Sequence, residues 1–374
     1  MADRRDVRDI LGAPFLPPAR LATAATAMRR ALAGGRRRSA PPAVQVLEGL
    51  FGLFDNRALG LLVQLGIPDV LDGRCTTEEL AAATGTSEEA LARLLRYAAG
   101  RGFLAQDRRG RWRPSAVTRV LRRDHPNSWR GWVEFAASDW FWDAWRHADA
   151  PLRAEGSGLQ AATGHGFFDY VNRVRPDAGR AFNAAMAAGA TVQALALAET
   201  LDWSGVSTVC DVGGGTGAAL EYLLRARPEL NGILFDLPEV VAQARPGLAE
   251  GRCRVEAGSF FDAVPAGADR YLLLAIVHDW DDDQAATILR RVGEALTPTA
   301  RAVVVEGVLP DRPRDEFVQA SDLLMLVLAT GRERTGAEFD ALFRHAGLRL
   351  ERAVPLPTGF TAFVLARPEP RLGW

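Results

Sequence analysis

The stretch Asp211-Val212-Gly213-Gly214-Gly215-Thr216-Gly217 decides how the rest of the chain is read. It joins an apolar, β-rich run over 206–212 to a helical run over 218–227. Glycines at such a junction permit a tight turn and let a ligand approach the backbone, while the helix N-terminus offers N–H groups. Outward from this point, β-rich runs at 232–235, 253–256, 271–277 and 302–306 alternate with helical runs at 238–244, 282–296 and 317–328. Strict alternation predicts an α/β domain, a parallel sheet wound by helices on both faces. A helix over 336–346 and strands over 348–354 and 361–366, linked through Pro355-Leu356-Pro357-Thr358-Gly359, predict a closing hairpin with an antiparallel strand.

Asp236, in Phe235-Asp236-Leu237-Pro238, ends the second strand, where a carboxylate can accept both hydroxyls of a ribose. With the glycine loop it points to an adenosine-containing cofactor, against the plainer reading of a Gly-rich turn. The spacing is not GxGxxG, and the loop begins with an acid. Asp211 is unfavourable beside a pyrophosphate and favourable near an ammonium or sulfonium, so charge favours S-adenosylmethionine over NAD and methyl transfer as the reaction.

After the fourth strand comes Val277-His278-Asp279-Trp280-Asp281-Asp282-Asp283. His278 falls at the carboxyl edge of the sheet, where open α/β folds bind ligands. A neutral imidazole there can take a proton from a phenol or carboxylic acid as its oxygen attacks a methyl group. Two readings compete with this: a purely structural histidine, and a divalent metal on His278 and its aspartates. Consecutive residues cannot all point inward, however, and several of these acids suit helix N-cap and first-turn positions, so no metal is expected. His125, His147, His165 and His345 stand in no such cluster and receive no role.

The chain has 374 residues, enough for two or three domains at about 100–200 residues each. The division expected is an extension over 1–40, a helical unit with a β-hairpin over 41–116, a helical section over 117–200, and the α/β domain over 201–374. Between 43 and 71 the apolar residues recur at helical spacing, broken near Asp55-Asn56 and stopped by Gly66 and Pro68, which predicts two amphipathic helices. Thr76-Thr77-Glu78-Glu79 and Thr86-Ser87-Glu88-Glu89 each read as a capping box opening a helix. Phe103-Leu104 and Arg111-Trp112-Arg113 then bracket the turn Asp107-Arg108-Arg109-Gly110 as a hairpin, completing a winged helix-turn-helix pattern.

That motif suggests a ligand-sensing DNA-binding regulator, but Glu88 and Glu89 in the first turn of its second helix would face phosphate. A net charge of −1 supplies no compensating field. Packing or dimerisation is therefore favoured, with no nucleic acid partner. The section over 114–201 holds Trp129, Trp132, Phe135, Trp140, Phe141, Trp142 and Trp145, followed by Phe167, Phe168, Tyr170, Phe182 and Met186. Plain core and the lining of a pocket for a flat ligand both remain open for this cluster.

Every basic residue is arginine, which removes P-loop, Schiff-base and kinase lysines together. Cys75, Cys210 and Cys253 are too few and too scattered for a disulfide framework or structural zinc. No apolar run approaches the roughly 18–20 residues that span a bilayer, and the start MADRRDVRDI lacks a secretory h-region. The expectation is a cytoplasmic protein without a membrane partner. The Arg- and Ala-rich, acid-free stretch 20–38 has transit-peptide composition, and a mobile or partner-packed extension is the favoured reading.

Taken together, these pieces resemble the plant-type small-molecule O-methyltransferase family, especially its actinobacterial branch acting on aromatic natural products. The resemblance runs over about residues 44–366 and rests on Asp211–Gly217, Phe235-Asp236-Leu237-Pro238, His278-Asp279-Trp280, Val305-Glu306 with Leu309-Pro310, and Arg332-Glu333-Arg334-Thr335. It implies a Rossmann-like class I methyltransferase domain, a winged-helix dimerisation domain and a homodimer with intertwined N-terminal regions. The implied cofactor is S-adenosyl-L-methionine, leaving as S-adenosyl-L-homocysteine, and the implied acceptor is a hydroxyl of an aromatic, polyketide-type metabolite.

Residue by residue, the resemblance makes Gly213 and Gly215 line the cofactor loop, Asp236 hold the ribose and His278 act as general base flanked by Glu306 and Glu333. Asp211, Ser259, Phe260 and Asp279 fall on the cofactor side, and Phe182, Met186 and Trp280 on the substrate side. Two departures stand out. Ser259, in Gly258-Ser259-Phe260-Phe261, replaces a carboxylate expected near the adenine, exchanging a charge-assisted contact for a neutral one weaker by roughly 1 kcal/mol. Leu274 stands where relatives place lysine or serine. Both leave open a methyltransferase-like enzyme that performs hydroxylation, decarboxylation or rearrangement with its cofactor retained.

Overall fold

The computed structural model describes residues 39–245, 248–313 and 317–368, with scattered positions between 21 and 35. The extension expected over 1–40 therefore lies almost wholly outside the described residues.

Among the described residues, seven strands form one sheet: β3 (Thr208–Val212), β4 (Asn231–Asp236), β5 (Cys253–Ala257), β6 (Arg270–Leu274), β7 (Arg301–Glu306), β10 (Arg349–Pro355) and β11 (Thr361–Ala366). Short pairs β1–β2 (Ala105–Gln106, Trp112–Arg113) and β8–β9 (Val308–Leu309, Arg334–Thr335) complete the count. The large sheet runs β10-β11-β7-β6-β3-β4-β5. β3 through β7 pair parallel, and β11 is antiparallel to both β7 and β10. The hairpin expected at the C-terminus is thus present. Strand order reverses at β3, where β4 and β6 lie on opposite sides, and the carboxyl ends there form the crevice in which open α/β sheets bind ligands.

Both faces of this sheet are buried, which explains why its strands read as near-continuous apolar runs. Cys210, Val212, Ala302 and Val304 face helices Asp282–Ala295 and Gly336–His345, while Val209, Val303 and Val305 face Ala218–Ala226 and the end of Pro176–Thr200. We name these helices α9, α11, α8 and α7. A third core gathers Phe135, Trp140, Phe141, Phe167 and Tyr170 with Val327 and Leu328 of α10 (Phe317–Leu328). A fourth closes the helical unit with the hairpin, around Leu80, Leu91, Leu95 and Trp112.

Several expectations are corrected in detail. Residues 42–64 form one unbroken helix, α1 (Pro42–Gln64), instead of two. Asp55 accepts from the Tyr97 hydroxyl at 2.8 Å and Arg101 Nε at 2.6 Å, and Asn56 donates to the Ala136 carbonyl. Tertiary partners thus hold the two residues whose propensity suggested a break. Thr76 and Glu79 form the capping box that opens α2 (Thr77–Thr84). The next helix, α3 (Glu88–Gly100), is capped by Ser87, not Thr86, whose hydroxyl bonds Thr84 instead. The helix expected over 238–244 is one turn, Pro238–Val241, and β6 ends at Leu274 because Ala275 adopts φ +54°.

α7, 25 residues long, is long and apolar enough to cross a membrane, although its apolar residues, largely alanine, are interrupted by Arg180, Asn183 and Gln193 and so do not read as one continuous run. Here it is a core helix. A Cβ on Gly131, in α4 (Arg130–Ala137), would lie 2.7 Å from Ala185 N, so the two helices touch backbone to backbone.

Candidate active site

A cavity of about 290 Å³ runs from the glycine loop after β3 to the aromatic core, with His278 between. Every cofactor-side residue named from the sequence lines it: Asp211, Gly213, Gly215, Asp236, Ser259, Phe260 and Asp279. So do Phe182, Met186, Trp280 and His278.

The cofactor end is made largely by backbone. Gly213 and Gly215 have φ +70° and +60°, a region costly for side-chain-bearing residues. A Cβ on Gly213 would meet Ile276 at 2.6 Å, and one on Gly214 would meet Asp211 Oδ2 at 2.7 Å. Gly213 N–H donates to the Phe235 carbonyl at 2.8 Å, tying the loop to β4. Asp236 accepts from Gly215 N at 2.8 Å and Leu237 N at 2.7 Å. Burial raises its carboxyl, and those two N–H groups oppose the shift.

Asp211 is buried, and its Oδ2 has no hydrogen-bond partner. Burial, reinforced by the charge of Asp236, pushes its carboxyl up to about 7. An orphaned buried acceptor of this kind suits a cationic ligand group, which would restore the ionised form. The ammonium and sulfonium of S-adenosylmethionine supply such charge, and the glycine loop leaves its approach unobstructed by side chains. Ser259 Oγ accepts from Phe261 N at 3.2 Å, so the hydroxyl in place of the expected carboxylate already has a partner.

His278 sits in a turn, Val277–Asp279, at the carboxyl edge. Its Nδ1 lies 2.9 Å from Glu333 Oε1, which also accepts from Ser321 Oγ at 2.7 Å. An ionised carboxylate only accepts, so Nδ1 carries the proton and Nε2 is left to exchange one. Asp279 Oδ1 is 3.6 Å from Nε2. Fully buried Glu306 accepts from Val277 N at 2.7 Å, Ile276 N at 3.1 Å and His278 N at 3.4 Å through Oε1. Its Oε2 is unpaired, 3.9 Å from Nδ1.

Burial alone would lower the imidazole's pKa. The charges of Glu306, Asp279 and Glu333 outweigh it and push His278 up to about 10. Burial raises Glu306 to about 7, against the opposing charge of His278. The ligating atoms of His278, Glu306 and Glu333 lie within 4.8 Å of one another, a spacing a divalent ion could bridge. The inner oxygens of both glutamates already hold backbone, hydroxyl or imidazole partners. As their pattern predicts, Asp281 caps α9 and Asp282 opens it: Asp281 Oδ1 accepts from Gln284 N.

Sequence reading missed the groups that hold this turn. Arg334, fully buried, donates to the Val277 and Trp280 carbonyls and to Asp282. Asp322 accepts from Glu333 N at 2.9 Å. Gly331 lies against the turn so closely that a Cβ would overlap the His278 carbonyl oxygen. None has a local signature, since each is defined by what the fold brings against it. At the acceptor end, Phe182 packs on Phe135 and Phe167, while Trp280 stacks on Phe168 and meets Phe261 edge-on, joining the two halves of the cavity.

Comparison with known proteins agrees with this geometry. Residues 145–349 match the O-methyltransferase domain family, and residues 47–124 match the O-methyltransferase dimerisation domain. The chain is 37% identical over 319 residues to the mitomycin biosynthesis 6-O-methyltransferase of Streptomyces lavendulae, covering 83% of this chain and 90% of that protein. The solved structure of the mitomycin 7-O-methyltransferase MmcR superposes with TM-score 0.78 at 35% identity, over 90% of this chain and all of that one. An O-methyltransferase from neocarzinostatin biosynthesis, in complex with S-adenosylmethionine and 2-hydroxy-5-methyl naphthoic acid, superposes with TM-score 0.69 at 30% identity, over 84% of this chain and 96% of that one. With its dimerisation unit, α/β domain and glycine-lined cavity, the chain belongs to the S-adenosylmethionine-dependent O-methyltransferase family.

Proposed function

We propose that the enzyme methylates a hydroxyl of an aromatic, polyketide-type metabolite, with His278 as general base. The observation that carries this is the continuity of one cavity past His278, from the glycine loop to the wall of Phe182 and Met186. Bound S-adenosylmethionine supplies an electrophilic methyl carbon on a sulfonium leaving group. Gly213, Gly215 and Asp236 would hold it, with Asp211 able to balance its positive charge and Ser259, Phe260 and Asp279 completing that end of the cavity. Phe182, Met186 and Trp280 clamp the aromatic acceptor so that its oxygen faces the methyl group, which makes positioning the main source of rate. Unprotonated His278 Nε2 would take the phenolic proton as the acceptor oxygen is methylated. Glu333 fixes the ring, and Glu306 and Glu333 stabilise the imidazolium. No metal is required.

The division into 41–116, 117–200 and 201–374 belongs to this reading, as does a homodimer formed through the N-terminal unit. α1 supports the latter by exposing Val46, Leu47, Leu50, Phe51, Leu53 and Phe54. Glu88 and Glu89 at the start of α3 support a unit that binds protein rather than DNA, and a cytoplasmic enzyme without membrane or nucleic acid partners fits that assignment.

The test is mass spectrometry after incubation with methyl-labelled S-adenosylmethionine and a panel of phenols. Label on oxygen is expected, with turnover falling about 10²–10⁴-fold in His278→Ala. Unchanged turnover in that variant overturns the role of the histidine.

A further inference from the structure

Among the described residues, the acceptor end of the cavity beyond His278 carries no charged side chain. Among the described residues, charged groups in the whole lining are Asp211, Asp236, Asp279 and His278, and the histidine is matched by Glu306 and Glu333 behind it. No arginine lines the cavity among these residues. A carboxylate entering here would lose its water and meet an environment already rich in negative charge.

Among the described residues the same end holds three donors without acceptors, Trp132 Nε1, Asn183 Nδ2 and Trp280 Nε1, of which the first two lie together at one helix crossing. Trp132 Nε1 and Asn183 Nδ2 are buried and unpaired, and both residues line the cavity. They sit on α4 and α7 where these helices touch, Trp132 following Gly131 and Asn183 lying between Phe182 and the contact residues Ala184 and Ala185. A buried N–H without an acceptor is destabilising, and an oxygen on a ligand relieves it.

We propose that the acceptor is an uncharged phenol that also bears a carbonyl-type oxygen, as in an aryl ketone, ester or quinone, to which Trp132 and Asn183 donate. Aryl carboxylates are excluded, unlike the naphthoic acid bound by the neocarzinostatin relative. This specificity rests on the assignment of the cavity as a methyl-acceptor site.

Three probes that share one ring system test it by calorimetry at pH 7 on enzyme saturated with S-adenosylhomocysteine: 2-naphthol, methyl 3-hydroxy-2-naphthoate and 3-hydroxy-2-naphthoate. The ester should bind at least tenfold more tightly than the acid. Trp132→Phe and Asn183→Leu should each weaken the ester about fivefold and leave 2-naphthol and S-adenosylhomocysteine within twofold. Acid binding as tight as ester, or an ester-to-naphthol ratio unchanged in both variants, overturns the specificity while the acceptor-site reading stands. If neither neutral probe binds although S-adenosylhomocysteine does, that reading falls and takes the proposal with it.

Discussion

The two ends of the cavity are built by different means. At the cofactor end, backbone N–H groups and positive-φ glycines from the loop after β3 and aspartates from the last two residues of β3 and β4 come from short segments. At the acceptor end, side chains from α4, α7 and α10 and from the turn at Phe167 converge across nearly 200 positions of sequence. A backbone-built site is fixed by local conformation and tolerates little change. A site of side chains on packed helices is altered one residue at a time, leaving the fold unchanged. The difference teaches that cofactor and acceptor specificity are separable in this molecule.

Substitutions at the cofactor end should break that comparison if they alter acceptor binding. The largest effect expected is from Asp236→Ala, which removes both the carboxylate proposed to hold the ribose and the acceptor of Gly215 and Leu237 N–H. S-adenosylhomocysteine affinity should fall about 10–100-fold by calorimetry, with neutral phenol binding unchanged.

Glu306→Gln sharpens the boundary between the ends. As the proposed base, His278 acts in its unprotonated form, and its folded pKa is raised from 6.5 to about 10, so kcat/KM should climb with pH from 7 to 9. Removing the Glu306 charge lowers that pKa, and the climb should move to lower pH in a pH–rate profile. An unmoved profile would show that the glutamate does not set the base.

Asp211→Asn should act on stability. The folded chain retains a proton on Asp211 up to about 7, whereas the unfolded chain releases it above the ordinary 3.8. Stability from this group is therefore full below about pH 4 and lost as pH rises through 7. The asparagine variant should melt a few degrees higher at pH 8 without cofactor, by roughly 2–4 °C, while binding cofactor less well. Smallest is Ser259→Asp, which restores a charged acceptor and should tighten S-adenosylhomocysteine about fivefold, corresponding to about 1 kcal/mol.

The same division explains what could be read in advance. The sheet, its closing hairpin and the residues Asp211, Gly213, Asp236 and His278 were legible because each lies where a strand ends, and strand ends leave local marks in glycine, acid and apolar pattern. Glu306 and Glu333 depended on family resemblance, since β7 and the segment before α11 approach His278 only after folding. Arg334, quoted only within a motif, and Trp132, quoted only within an aromatic cluster, received no role of their own, nor did Ser321 and Asn183, because a side chain's partner across a helix crossing is invisible to spacing along the chain. Asp55-Asn56 misled for the same reason: local propensity favoured a break, and Tyr97, Arg101 and Ala136 overruled it.

The backbone contact between Gly331 and the His278 turn has a consequence for how this gene can vary. Every single-nucleotide change in a glycine codon that alters the amino acid adds a Cβ or creates a stop, and any Cβ at 331 runs into the histidine's own carbonyl. Position 331 therefore has no one-step neighbour in sequence space that spares the base, whereas Asn183 can drift to serine, aspartate or histidine by single changes. On the proposed roles, the lineage can explore new acceptors readily while the turn that carries His278 stays fixed.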